Sequence, residues 1–239
     1  MHTKSRSAGF SVIELMITVG LAAMLGTGLI SFFVQSLKGS NAIEQQMKLM
    51  TTMRKFTEEL IFTGSRSHEV ILYNSSDAAD RTLALRKVVI NNDTESTDDD
   101  ICPTGNFAVF VFYELPKPAA EAHYRIAKLV GYYLESVDSG PPALKRITID
   151  KSAAPSTNTV EDLLTANWNS APRETIAPRV TPLALSDNYT ESTVPQLFYR
   201  RASQNLAVCG QMLESTQRKD TADQRSYTRT FYFTVTIRS

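Results

Sequence analysis

One acidic side chain stands inside the most apolar part of the chain. Glu14 is the only ionisable residue from Phe10 to Val34, a run of 25 residues. A run of this length and apolarity can cross a bilayer as a helix. A carboxylate inside lipid costs about 2.5 kcal/mol or more unless it is paired. The residue type and its position therefore predict that Glu14 has a partner in some state of the molecule.

A cation arises close to Glu14 if the chain is cut between Gly9 and Phe10. The cut creates an α-amino group at Phe10 and makes Glu14 the fifth residue of the mature chain. In an assembly of similar helices, each carboxylate can then neutralise the amino group of a neighbour within a dry interior. This chemistry predicts charge-guided assembly of membrane helices.

Two other interpretations of the apolar run, a secretion signal and a plain signal-anchor, each leave one of its features unexplained. An ordinary signal peptide has a shorter apolar core with a small-residue cleavage site behind it, and the sequence SFFVQSLKGSN at 31–41 offers no such site. A plain signal-anchor fits the length, but it leaves Glu14 without a role.

The N-terminal residues resemble those of type IV pilins and pseudopilins. The leader MHTKSRSAG, with Lys4 and Arg6 and ending in Gly9, resembles a prepilin leader, and Phe10 and Glu14 match the family positions after the cut. The sequence ELMITVGLAAML is similar to the shared helix of the family. The resemblance implies a prepilin peptidase that cleaves after Gly9 and methylates the amine of Phe10. It also implies other pilins or pseudopilins as partners in a filament.

A long N-terminal helix, predicted over residues 10–64, must hold Glu14 in place. Its transmembrane part is predicted at about 10–34. Beyond this part, apolar residues recur at spacings of three, four and seven, which is typical of a helix face that docks on a sheet. These residues are Ile43, Met47, Met50, Met53, Leu60 and Ile61. Gly64 is predicted to end the helix, so that the chain consists of a leader at 1–9, the helix, and an exported head domain at 65–239.

The head domain is predicted to be rich in β-strands, because runs of β-branched and aromatic residues follow the helix. The predicted strands are 69–73, 82–90, 107–115, 128–136, 143–149 and 229–238. The sequence SGPP at 139–142 is predicted to form a hairpin connection, residues 160–168 a short helix, and residues 170–195 a loop. The fold class is thus predicted as α+β and pilin-like, with the long helix packed on an antiparallel sheet.

A second resemblance concerns the strand pair KLVGYYLES and ALKRITI. The pair is similar to the tyrosine-rich strand, turn and leucine–arginine strand of large minor pilins of the PilW type and of J-type pseudopilins. The head has about 175 residues beyond the helix, which is larger than the head that a major pilin usually carries. The resemblance therefore implies a minor subunit.

Charge and motifs argue against several other classes of protein. The 25 basic residues balance the 25 acidic residues, so the totals do not suggest a nucleic-acid binder. The histidines at positions 2, 68 and 123 are too dispersed for a catalytic or metal cluster. No G-x-S-x-G, H-E-x-x-H or phosphate-binding glycine motif occurs. The chain is predicted not to be an enzyme and to need no cofactor.

One acidic segment, NNDTESTDDD at 91–100, is a weak candidate for a calcium site. Asp98, Asp99 and Asp100 could donate oxygen ligands. The segment lacks the central glycine and the closing glutamate of a twelve-residue calcium loop. A solvated acidic loop is the favoured interpretation.

The two cysteines, Cys102 and Cys209, are too few and too widely spaced for a zinc site. The positive-inside rule places the basic leader on the cytoplasmic side and the head outside the cytoplasm. Exported cysteine pairs are usually oxidised, so a disulfide is predicted. The alternative is two independently buried thiols.

Two functions stay open at this point. The first is a minor pilin or pseudopilin that primes or caps a type IV pilus or a type II secretion pseudopilus, located in the bacterial inner membrane and then in the filament. The second is an adhesin or a DNA-capturing head displayed on the same helix. A head with the second function is expected to carry an exposed basic patch. The basic residues of the C-terminal third are, however, interrupted by Asp220 and Asp223.

Overall fold

A computed structural model provides the structure of the chain. It describes residues 11–77, 104–114, 125–137, 140–150, 159–184, 186–187, 190–191, 195–202, 205–215 and 226–238. The chain divides into two compact units, of which the first ends at Met47 and the second begins at Lys48.

Helix α1 spans Val12–Arg66 and therefore ends two residues beyond the predicted end. Gly64 does not end the helix, which corrects the prediction. It lies in the last turn, where a methyl group on its Cα would overlap Cγ1 of Val235. The glycine therefore allows close packing of the helix rather than its termination.

The first sheet has five antiparallel strands. In sheet order these are β1 (Glu69–Tyr73), β3 (Phe107–Tyr113), β4 (Ile126–Val137), β5 (Gly140–Asp150) and β6 (Arg173–Ala177). Strands β4 and β5 form the predicted hairpin, with Val137 opposite Gly140. Gly140 has a φ of 141°, a conformation that glycine adopts without steric cost. The two prolines that follow it belong to β5 rather than to the turn.

The second sheet is also antiparallel. Its order is β12 (Ser226–Thr236), β11 (Asn205–Ser215), β10 (Phe198–Ala202) and β2 (Thr104–Gly105), and β7 (Val180–Pro182) pairs with β11 as well. Strands β8 (Ser186–Asp187) and β9 (Thr190–Glu191) form a separate two-stranded pair. Four strands, β6 to β9, lie in the segment predicted as loop, so that prediction was wrong.

The main core lies among α1 and one face of each sheet. Phe56 of α1 makes edge-on ring contacts with Tyr132, Phe231 and Phe233. Side chains alternate between the faces of a strand, so Tyr133 lies on the opposite face of the first sheet. There it joins a second apolar cluster with Phe107 and the helical residue Leu164. The first sheet is thus covered on both faces, which explains why β3 is apolar without alternation.

Helix α2 (Val160–Asn167) covers the second cluster and confirms the predicted short helix. Its start is fixed by a capping box, in which Thr159 and Asp162 each bond the backbone N–H of the other. Such reciprocal bonds satisfy two backbone donors that a helix otherwise leaves open.

The structure thus has the predicted α+β layout, a long N-terminal helix and antiparallel sheets. The predicted helix face is partly wrong. The buried positions of α1 are Leu49, Phe56, Leu60, Thr63 and Gly64, whereas Ile43, Met47, Met50 and Ile61 are exposed. The predicted strand at 82–90 lies outside the described residues.

Candidate functional site

The first turn of α1 holds Glu14 in a capping box. The backbone N–H of Ser11 donates to Oε2 of Glu14 at 3.0 Å, and the backbone N–H of Glu14 donates to Oγ of Ser11 at 3.3 Å. A carboxylate at this position also interacts favourably with the positive end of the helix dipole. Glu14 therefore has a local partner within a single chain.

The pattern Ser11-Val12-Ile13-Glu14 is an S-x-x-E motif, which is a sequence signature of a helix start. The charge pattern of the N-terminal segment does not indicate a role for Ser11. The capping box leaves carboxylate lone pairs available for a cation, because a carboxylate can accept about four hydrogen bonds. The same side chain can thus hold the helix start and bind a second partner.

Along the N-terminal part of α1, apolar side chains are exposed on all sides of the helix. From Val12 to Leu37 every large apolar residue is exposed. By length and apolarity, α1 is able to span a membrane. An all-round apolar surface of this kind is not stable in water without a cover.

In the second unit, a charged network connects α1 to the first sheet. Nη1 of Arg146 lies 2.5 Å from Oε1 of Glu59, and Nη2 lies 2.5 Å from Oε2 of Glu174. The hydroxyl of Tyr132 donates to the same Glu59 oxygen at 2.8 Å and lies 3.1 Å from Oγ1 of Thr63. One arginine thus bridges the helix and β6, while a buried tyrosine fixes the carboxylate between them.

The environment of this network keeps Arg146 charged and Tyr132 neutral. Partial burial lowers the pKa of Arg146, but hydrogen bonding and charge attraction from Glu59, together with the charge of Glu174, outweigh it and raise the pKa overall. Burial is the main cause that raises the pKa of Tyr132, and the charge of Glu59 adds to it. The network is therefore a fixed structural contact at neutral pH.

A second stripe on α1, here called the outer stripe, lies apart from the buried face of the helix. It consists of Met50, Ile61 and Phe62 in the second unit, all of which are exposed. The guanidinium of Arg66 lies 4.6 Å from the centre of the Phe62 ring. Because the buried residues of α1 lie on another face, the helix carries more apolar surface than its own head covers.

The predicted site residues Gly9, Phe10, Cys102, Asp98, Asp99 and Asp100 lie outside the described residues. Cys209 is buried on β11, where burial raises the pKa of its thiol. Thr104, two residues after Cys102, is in the same sheet, opposite Tyr199, which packs with Cys209. The Cys102–Cys209 disulfide stays a prediction. Within the described parts of the chain, no group of three or more His, Cys, Asp or Glu residues could hold a metal ion.

In comparisons with known proteins, no family model, no curated protein and no solved structure matches this chain.

Proposed function

We propose that this chain is a minor pilin or pseudopilin, a structural subunit that primes or caps a type IV pilus or a type II secretion pseudopilus. One observation carries the proposal: Glu14 stands at the first turn of an exposed apolar helix, four residues after Phe10, which follows a basic leader that ends at Gly9. A carboxylate at this position needs a cation in lipid. Cleavage after Gly9 creates one at the end of every neighbouring subunit.

The capping box gives this assembly a defined geometry. Ser11 holds the Glu14 carboxylate at the N-terminal end of the helix. In the proposal, the methylated amine of Phe10 in an adjacent subunit binds the remaining lone pairs of that carboxylate. The pairing brings a cation and an anion together where water is excluded, and there their attraction is strongest.

The outer stripe supports contacts between subunits beyond the membrane. Its residues are apolar and exposed on the part of α1 that follows the apolar run. In the proposal, helices of other pilins or pseudopilins cover this stripe within the filament. The subunit is anchored in the bacterial inner membrane before assembly, with its head outside the cytoplasm.

The experiment that tests the proposal separates the charge of Glu14 from its capping role. Glu14→Val removes both, Glu14→Gln keeps an oxygen that can accept from Ser11 but removes the charge, and Ser11→Ala removes one capping bond and keeps the charge. All three variants should enter the membrane, since insertion requires only apolarity. We expect Glu14→Val and Glu14→Gln to be depleted from sheared filaments and Ser11→Ala to be recovered.

Recovery of Glu14→Gln at the wild-type level would show that charge pairing is not needed. Intact-mass analysis of the membrane-extracted protein provides an independent check. We expect a mature chain that begins at Phe10 and carries one added methyl group, and any other N-terminus would overturn the proposal. The proposed minor role further requires that the subunit be scarce in purified filaments.

A further inference from the structure

Among the described residues, the second sheet ends in a long strand, β12, and no described strand pairs with its outer edge. β12 has eleven residues and pairs with β11 over its whole length without a register shift. It is the terminal strand of its sheet. Natural proteins usually shorten, charge or interrupt such edges, because unpaired backbone groups recruit further strands.

The other edges in this head follow that rule. β1 has five residues and begins with Glu69. β6 also has five residues, begins with Arg173 and Glu174, and lies between Pro172 and Pro178. β2 and β7 have two and three residues. Only β12, among the edges of the two large sheets that the structure describes, is long, free of proline and glycine, and regular.

The hydrogen bonds of β11 show which backbone groups of β12 face this edge. The N–H of Cys209 donates to the carbonyl of Leu197, and the N–H of Leu213 donates to the carbonyl of Arg179, both at 3.0 Å. These odd-numbered residues of β11 thus bond away from β12. Because alternate residues bond to opposite sides, the even-numbered residues of β11 bond to β12, where their partners are odd-numbered.

The even-numbered residues of β12 therefore direct their N–H and C=O groups outward. They include Thr228, Thr230 and Thr234, whose side chains are all exposed. No described residue forms a backbone hydrogen bond with these three at the open edge. The edge thus presents a template for one more antiparallel strand.

The sequence of the edge is nearly a palindrome. Residues 228–236 read TRTFYFTVT, centred on Tyr232, which is 48% exposed. At equal distances on the two sides of Tyr232, the residue types are the same in three of four cases, and only Arg229 and Val235 differ. The matching pairs are Phe231 and Phe233, Thr230 and Thr234, and Thr228 and Thr236. A two-fold axis requires a surface that is complementary to itself. Any antiparallel strand paired with its own copy has this two-fold symmetry, and the near-palindrome additionally places residues of the same type opposite each other at every position except Arg229 and Val235.

We infer that β12 is a docking edge for a second copy of this chain, with the two β12 strands antiparallel and Tyr232 at the two-fold axis. In this register, Thr230 lies opposite Thr234 of the partner, and Thr228 lies opposite Thr236 of the partner. All these residues are even-numbered, so their outward backbone groups meet as hydrogen-bonded pairs. Threonine pairs across strands are favourable. The inference does not rest on the proposed function.

The test uses the full-length chain in detergent and measures its mass by light scattering over a range of concentrations. The double variant Thr230→Lys with Thr234→Lys places two lysines opposite each other in each of the two symmetry-related pairs across the axis. Its matched control, Thr230→Lys with Thr234→Glu, places opposite charges at the same positions. We expect a wild-type dimer, about tenfold or more weakening in the first variant and no weakening in the second.

Fluorescence of Trp168, the only tryptophan, reports whether each variant is folded, because this residue packs in the second cluster, against Phe107 and Tyr133. A monomeric wild-type protein would overturn the inference. Equal dimer affinities of the two double variants would also overturn it, since dimers formed through α1 do not depend on these positions.

Cross-linking provides a second measurement that keeps the charge unchanged. In the proposed register, Tyr232→Cys brings two thiols together at a Cα distance of about 5.5 Å, which a disulfide can span. Thr228→Cys is the matched control, because the two copies of this residue lie eight residues apart along the paired strands, roughly 27 Å. We expect a cross-linked dimer for Tyr232→Cys alone, with wild type and Thr228→Cys unlinked. The reverse pattern would exclude this register.

Discussion

The two parts of α1 use the same kinds of residue for different purposes. In residues 12–47 the large apolar side chains are exposed on every side, whereas residues 48–66 bury one face that includes Phe56 and Leu60. The second part finds its partner within the chain, in the two sheets. In the first part, by contrast, the large apolar side chains stay exposed. Apolar character alone therefore does not show whether a helix face serves the fold or an outside partner.

Replacing one phenylalanine in each part of α1 should give the greatest difference in unfolding free energy between the two parts. Phe56 is fully buried, and Phe33 is 62% exposed. Phe56→Ala leaves a cavity among three aromatic rings and should lower the free energy of unfolding of the head by about 3–5 kcal/mol. Phe33→Ala should leave it unchanged. Chemical denaturation followed by Trp168 fluorescence measures both, and equal losses would contradict the division of α1.

Two glycines, one in each part of α1, provide a second contrast. Gly64→Ala should destabilise the head by about 1–3 kcal/mol, because the added methyl group overlaps Val235. Gly28 has no neighbouring atom within 4 Å of the position of an added Cβ. Gly28→Ala should therefore leave head unfolding unchanged and only favour the helix. Thermal unfolding of the two variants against wild type checks this, and a stable Gly64→Ala head would show that the close approach of Gly64 to Val235 is not required.

Charge pairs on the second part of α1 provide a smaller contrast. Arg146→Met leaves the half-buried Glu59 without its cation and should cost about 1–2 kcal/mol of unfolding free energy. Arg54→Met removes an exposed pair with Glu58, four residues along the same helix, and should leave the unfolding free energy nearly unchanged. Urea denaturation of both variants measures the difference. Similar losses would mean that Arg146 does not anchor α1 to the sheet.

The buried hydroxyl of Tyr132 makes the stability of the head depend on pH in the alkaline range. Tyrosine ionises near pH 10 in the unfolded chain, whereas burial above all raises the pKa of Tyr132 in the fold. The stability associated with neutral Tyr132 is fully present below pH 10 and is lost as pH rises further, because only the unfolded state releases its proton. Tyr132→Phe should cost about 1 kcal/mol at neutral pH and make the alkaline loss of stability shallower. Some loss should persist, because burial also raises the pKa of Tyr113. An unchanged alkaline slope would contradict this.

Much of the fold could be predicted from local sequence. The end of α1 lies two residues after the predicted end, and β1, the hairpin of β4 and β5, and α2 all lie where local sequence predicts them. These elements depend on neighbours in sequence. The S-x-x-E motif at Ser11 and Glu14 is local as well, so the capping box was available to sequence analysis.

The amino-acid sequence alone was enough to predict a long apolar helix before a β-rich head, with Glu14 at the start of the helix. Which face of the helix is buried, in contrast, depends on tertiary contacts. Apolar residues of α1 occupy two faces at similar helical spacing, and periodicity cannot distinguish the face that packs on Phe231 and Tyr132 from the outer stripe. The pairing of β11 with β12 and the exposed edge beyond it likewise depend on contacts between distant parts of the chain, which local propensity does not encode.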